Sequence, residues 1–138
     1  MNSPQLTFNV FVYGTLKPGE VNYQYYCGTK VKSQIEAYTW GDLFDLHVGY
    51  PAMVEGKNKV QGILLGFDDD NILYGLDQLE GYREQRDISL NQYCRQLISV
   101  YGYDDQFLVK AWAYLMDMTK VEQYGGTLIN SGIWLDSV

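Results

Sequence analysis

Glu80 is the carboxylate whose position in the chain suits proton transfer best. It follows Leu79 at the end of a helical pattern and precedes Gly81, so the negative end of the helix dipole disfavours its ionised form. Partial burial against tyrosines would push its pKa the same way, upward from about 4.3. A glutamate tuned in this direction can both take and return a proton near neutral pH. A solvent-exposed glutamate at a fraying helix end fits the same position, and local sequence leaves both readings open. Asp77, three residues earlier and on a neighbouring face, is the obvious second carboxylate and reads as solvated.

The second chemical feature is the stretch VFVYGTLKPGE, Val10 to Glu20. Strand-forming residues stop at Gly14 and pass into a loop closed by Gly19. Gly14 can adopt dihedrals closed to other residues and lets a ligand approach the backbone. Consecutive amides from Gly14 through Thr15 to Leu16 would then form a small anion nest, with Pro18 stiffening the exit and Lys17 adding positive charge. A plain strand–loop connection whose amides bond water is the alternative. Tyr13, Tyr82 and Tyr114 offer hydroxyls to a cavity or rings to sheet packing; Trp112 and Trp134 read as packing, and Arg95 as half of a surface ion pair.

What the chain lacks narrows the chemistry further. His47 is the one histidine, which excludes a metal site built on several imidazoles, and it reads as a loop residue outside any nucleophile context. The loop GTLKPG matches neither GxxxxGK[ST] nor GxGxxG, so it is no nucleotide cradle. No cofactor and no metal are called for. A net charge of −7 without a basic cluster argues against nucleic acid as a partner. Cys27 and Cys94 form no CxxC pair and read as two thiols in a reducing compartment, though a disulfide is the other option. The first ten residues carry no secretory pattern and no apolar run approaches ~20 residues, so the expectation is a cytoplasmic protein with no membrane contact. Nothing sets the oligomeric state.

The elements that must hold these groups fit one domain over residues 1–138. Leu6–Tyr13 reads as a central strand, and residues 20–27 as a short helix ending at Gly28. Residues 33–40 and 41–46 read as two strands, 47–53 as a turn, and 59–67 as a strand with a bulge at Gly62. The one strong helix runs over 68–82, capped by Asp69 or Asp70, with Ile72, Leu73, Leu76 and Leu79 on its apolar stripe and Gly81 at C′. Residues 92–102 and 107–116 alternate across a turn as a β-hairpin, and a glycine-rich tail from Val121 packs back. Thirteen tyrosines favour β structure with a polar-lined cavity. The fold class is α+β: a small mixed-sheet barrel with one principal helix packed on it and a central cavity.

YGTLKPG after a strand, GYPA mid-chain, LDQLEGY at a helix end, then YCRQLISV, AWAYLM and a late SGIW occur in this order. The series resembles the gamma-glutamylcyclotransferase-like family over nearly the whole chain. The resemblance implies a small barrel enclosing one cavity and a gamma-glutamyl cyclotransferase activity that yields 5-oxoproline from a small-molecule gamma-glutamyl donor. It places Tyr13, Gly14, Thr15 and Leu16 on the substrate loop and Glu80 as general acid/base. Tyr50, in the central Gly49-Tyr50-Pro51 turn, and Tyr82 join the substrate-binding residues. Thr15 stands where many relatives have serine and keeps the hydroxyl. Because the donor's own amine attacks, no protein nucleophile or metal is needed, which fits the inventory. Action on a gamma-glutamylamine isopeptide, or a non-catalytic binding domain on the same fold, are the competing readings.

Overall fold

A computed structural model of the chain describes residues 8–20, 22–68, 71–83, 85–87 and 90–135. The first strand, β1 (Phe8–Val12), is short and its last three residues are buried. β2 (Val31–Asp45) and β3 (Pro51–Phe67) form a long antiparallel hairpin, and β4 (Cys94–Gly102) and β5 (Phe107–Leu115) a shorter one. β1 inserts antiparallel to β3 and parallel to β5, while β2 pairs with both β3 and β4. The order β3-β1-β5-β4-β2, with β2 returning to β3, closes a mixed five-stranded barrel. A final two-residue strand, β6 (Thr127–Leu128), adds to the end of β2.

Strand alternation sorts the apolar side chains into two sets. Phe11, Ala37, Val60, Leu64, Val100, Ala111 and Ala113 fill the barrel interior. Val10, Val12, Leu65, Phe67 and Tyr114 face the other way, where the helix α2 (Asn71–Leu79) covers them with Ile72 and Leu76. Leu73 and Leu79 are half-buried beside them, as the stripe anticipates. The expected caps Asp69 and Asp70 lie outside the described residues, as does Leu6 of the first strand.

The C-terminal end of α2 follows the sequence closely. Gly81 has φ +66°, its N–H donates to the Gln78 carbonyl (3.3 Å), and the Tyr82 N–H reaches the Asp77 carbonyl (2.9 Å). This is a Schellman motif with Gly81 at C′ and Glu80 as the capping residue. The preceding helical segment is smaller than expected, with α1 (Tyr23–Tyr26) followed by a 3₁₀ turn at Gly28–Lys30.

Three expectations need correction. The two strands over 33–40 and 41–46 are one, because Gly41 marks a register shift rather than a break: a Cβ there would stand 2.9 Å from the Val54 carbonyl oxygen. Pro51, Ala52 and Met53 belong to β3, which confines the turn to residues 46–50 with His47 at φ 63° and Gly49 at φ 93°. Gly62 is no bulge; it pairs in register with Ala37 and is a glycine because a Cβ would collide with the Val12 carbonyl oxygen. The tail carries a helix that alternation did not suggest, α3 (Met118–Gln123), before Trp134 packs into the barrel interior. Among the described residues no helix is long and apolar enough to cross a membrane.

Candidate active site

Where β1 ends, its chain separates from the sheet and opens a cavity of about 330 Å3. Tyr13, Gly14, Thr15 and Leu16 form one wall, Tyr50 and Pro51 of the β2–β3 turn a second, and Leu79 and Glu80 a third. Asn22, Gln92, Tyr93 and Tyr114 also line it, together with Phe11, Val12 and Gly49. The structure thus brings together Glu80 and the glycine loop, which lie far apart in sequence. Tyr82 is outside this lining; its ring lies under the Arg95 guanidinium, 5.4 Å from its centroid.

The loop's carbonyls are engaged within the loop. Gly14 accepts from the Lys17 N–H (3.0 Å) and Thr15 from the Asn22 N–H (2.9 Å). The N–H groups of Gly14, Thr15 and Leu16 donate to no acceptor among the described residues, which leaves three consecutive donors at the cavity. Asn22 Nδ2 donates to Thr15 Oγ1 (2.8 Å), so this contact uses the Thr15 oxygen as acceptor and not its hydroxyl proton. The reason for Gly14 differs from the one expected. Its φ is not positive; instead a Cβ would come within 2.9 Å of the Pro51 ring, so the glycine permits close packing of the two turns. Lys17 is not in the cavity, since its Nζ donates to the Trp134 carbonyl (2.7 Å) and so ties the loop to the tail.

Glu80 is fixed at both ends of its peptide unit. Its N–H donates to Leu76 (2.9 Å), and its carbonyl accepts from the Tyr93 N–H (3.1 Å). Some side-chain surface stays open to the cavity, yet burial among apolar and aromatic groups pushes the carboxyl up to about 7. No group among the described residues donates to it or pairs with it. A carboxyl left free and balanced between its two protonation states is available to a substrate.

The tyrosines around it are committed elsewhere. The Tyr13 hydroxyl donates to the Tyr114 carbonyl (2.6 Å) and accepts from the Met53 N–H (3.2 Å). The Tyr93 hydroxyl donates to the Pro51 carbonyl (2.6 Å), and that of Tyr114 to Asp77 Oδ1 (2.7 Å). Burial raises all three far above the usual tyrosine range, helped for Tyr114 by its hydrogen bond to Asp77 and for Tyr13 and Tyr93 by the Glu80 charge, so they remain neutral. They serve as walls and braces, with no proton to spare for a ligand. Tyr50 is the exception: its hydroxyl meets Tyr124 (3.4 Å), and this contact, then burial, pushes it up to about 12.

Two other readings change. Asp77 is not solvated but accepts from Arg95 Nη1 (2.7 Å) as well as from Tyr114. Arg95 is correspondingly no surface residue, being 13% exposed and lying over the Trp112 ring (4.9 Å). Both follow from tertiary packing, in which the last turn of α2 lies against the Arg95–Tyr114 end of the β4–β5 ladder. Asn22, Gln92 and Tyr93 were not anticipated, because only folding brings them beside Glu80. Cys27 and Cys94 are both free, the first buried.

The description "Gamma-glutamyl cyclotransferase, AIG2-like" belongs to the family whose profile matches residues 10–136. A Vibrio cholerae serotype O1 protein named "Putative gamma-glutamylcyclotransferase" is 34% identical over 130 residues, covering 94% of this chain and 96% of that protein. The chain belongs to this family. An AIG2-like protein from Mus musculus has the same fold, with a TM-score of 0.72 at 20% identity over 94% of this chain and 88% of that one. YkqA from Bacillus subtilis superposes with a TM-score of 0.66 at 26% identity over 94% of this chain, which spans 40% of YkqA.

Proposed function

We propose that the protein is a gamma-glutamyl cyclotransferase that closes the gamma-glutamyl group of a small donor into 5-oxoproline. The observation that carries this is one cavity holding both a carboxyl balanced near pH 7 and three consecutive amides, none of them with a hydrogen-bond partner among the described residues. The donor binds with its α-carboxylate or its carbonyl oxygen on the Gly14–Leu16 amides and its α-ammonium towards Glu80. Glu80 as carboxylate removes a proton from the ammonium. The freed amine attacks the donor's own γ-carbonyl carbon, forming the ring C–N bond. As the bond to the leaving amine breaks, the Glu80 carboxyl gives its proton to that nitrogen, and the ring nitrogen's second proton follows by way of the regenerated Glu80 carboxylate, so the amine departs as an ammonium ion and the ring keeps one N–H. Protons balance over the cycle, and no protein nucleophile takes part. Holding the donor in its cyclising conformer contributes on the order of 7–11 kcal/mol, and fixed amides stabilise the charge that develops on oxygen.

A second reading concerns the leaving group. None of the described cavity-lining residues is a lysine or arginine. A leaving amino acid or peptide carboxylate would enter without a cationic partner, and burying it unpaired is costly. This favours donors of the gamma-glutamylamine type. The free thiols fit a reducing compartment, and with it the cytoplasm.

The test is a panel of gamma-glutamyl dipeptides and gamma-glutamylamines, with 5-oxoproline measured by mass spectrometry. Release by wild type, absent in Glu80→Gln while donor binding persists, is the expected result. Wild-type protein that binds a donor and turns none over would make it a binding domain instead.

A further inference from the structure

Behind the cavity wall, Asp77 of α2 meets two residues that face each other across β4 and β5. Arg95 and Tyr114 are direct partners in that ladder. Asp77 Oδ2 accepts from Arg95 Nη1 and Oδ1 from the Tyr114 hydroxyl, both at 2.7 Å. One carboxylate on the last full turn of a helix is therefore pinned to two strands at once. Tyr114 continues the linkage, since its ring lines the cavity and its carbonyl holds the Tyr13 hydroxyl at the start of the amide loop.

We propose that Asp77 and Arg95 are a positioning pair: they fix the last turn of α2 against the barrel and cancel each other's charge behind Tyr114, so that Glu80 faces the cavity without a net charge at its back. This rests on the cyclotransferase reading for its purpose, but not for its physics. A nine-residue helix is marginal by itself, and α2 buries only Ile72 and Leu76 fully. The turn that carries Glu80 lies beyond Leu76, where the Asp77 contacts take over. Asp77 and Glu80, three apart, are neighbours on the helix surface, so a bare Asp77 carboxylate would oppose ionisation of Glu80. With Arg95 against it, the pair is neutral. Among the described residues, the other groups facing Glu80 are Tyr13 of the loop after β1, Tyr50 of the β2–β3 turn, Tyr93 before β4 and Tyr114 of β5, all neutral phenols.

A purely structural brace and a charge-balanced positioning pair differ in one respect. Removing either partner weakens a brace, whereas the balance tips in opposite directions. The experiment follows Glu80 by pH titration of side-chain-labelled glutamate in ¹³C NMR, its signal assigned by loss in Glu80→Gln, with no substrate present. Asp77→Asn leaves Arg95 uncompensated and lowers the Glu80 titration point by ~0.5 pH unit or more. Arg95→Met removes the cation from Asp77, which keeps its Tyr114 hydrogen bond, and raises it by a similar amount, and the double variant returns it close to wild type. An unmoved titration, or both single variants moving it the same way, overturns the proposal. If Arg95→Met does not fold, Arg95→Lys replaces it: the retained cation keeps the wild-type titration, and a displaced one counts against the pair. On a donor that wild type turns over, Asp77→Asn lowers kcat ~10-fold or more with KM within about threefold, as misplacement of a reacting group does; raised KM at unchanged kcat contradicts positioning. Wild type inert on every donor would sink the function, and the titration would still judge the pair.

Discussion

Glutamine in place of Glu80 is expected to make the protein more stable at alkaline pH while abolishing turnover. Burial moves the Glu80 carboxyl from 4.5 in the open chain to about 7 in the folded protein. The folded state therefore holds the proton more tightly, and folding gains from this below about pH 4.5, where both states are protonated. As pH rises through about 7 the folded protein must carry a buried carboxylate that the unfolded chain carries in water, and the gain is lost. At about 1.4 kcal/mol per pH unit, this interval sets a ceiling of ~3 kcal/mol. The carboxyl's partial access to the cavity reduces it, to roughly 1–3 kcal/mol. Glu80→Gln has no such proton, so its stability is flat where that of wild type falls. Urea unfolding of both proteins between pH 4.5 and 8.5 measures the difference, which is expected to grow across that window in favour of the variant. Two curves running parallel would mean that Glu80 titrates as an ordinary exposed glutamate, and burial would then have no hold on its proton.

Three further outcomes follow from named contacts. Gly81→Ala forces a side chain onto φ +66° and its Cβ to 2.9 Å from that of Gln92, so a loss of ~1–2 kcal/mol in chemical unfolding is expected. Tyr13→Phe strands the buried Tyr114 carbonyl and Met53 N–H, at a cost of ~1–3 kcal/mol in urea unfolding; a neutral substitution would show that the hydroxyl braces nothing. Gly14→Ala drives a Cβ to 2.9 Å from the Pro51 ring, and separating the two turns is expected to cut kcat/KM by ~10-fold or more in the 5-oxoproline assay.

The parts of the site that local sequence can encode were legible. Strand, glycine loop and Gly81 each carry a backbone signature, and the Glu80-Gly81 pair announces a helix end whatever surrounds it. Chain topology then decided the rest. Arg95 sits between half-buried Cys94 and exposed Gln96 on its strand, and nothing nearby in sequence says that Asp77 of α2 will reach it. In the sequence Gly41 reads as a break between strands, Gly62 as a bulge and Gly14 as freedom of dihedral. Each is a glycine because another segment passes too close for a Cβ, a fact about tertiary packing that one sequence does not display. Tyr82 stood beside Glu80 in the chain, but the Schellman turn sends it to the Arg95 side.

That the donor's own amine is the attacking group, with water excluded, is open to one decisive measurement. Turnover of a reactive gamma-glutamyl donor in ¹⁸O-enriched water, with products resolved by mass spectrometry, separates the two fates of the γ-carbonyl. Cyclisation delivers 5-oxoproline with no heavy oxygen and leaves an N-acylated donor untouched. Free glutamate bearing ¹⁸O, or turnover of the N-acylated donor, would make the protein a hydrolase and contradict Glu80 as the proton shuttle of a self-cyclising donor.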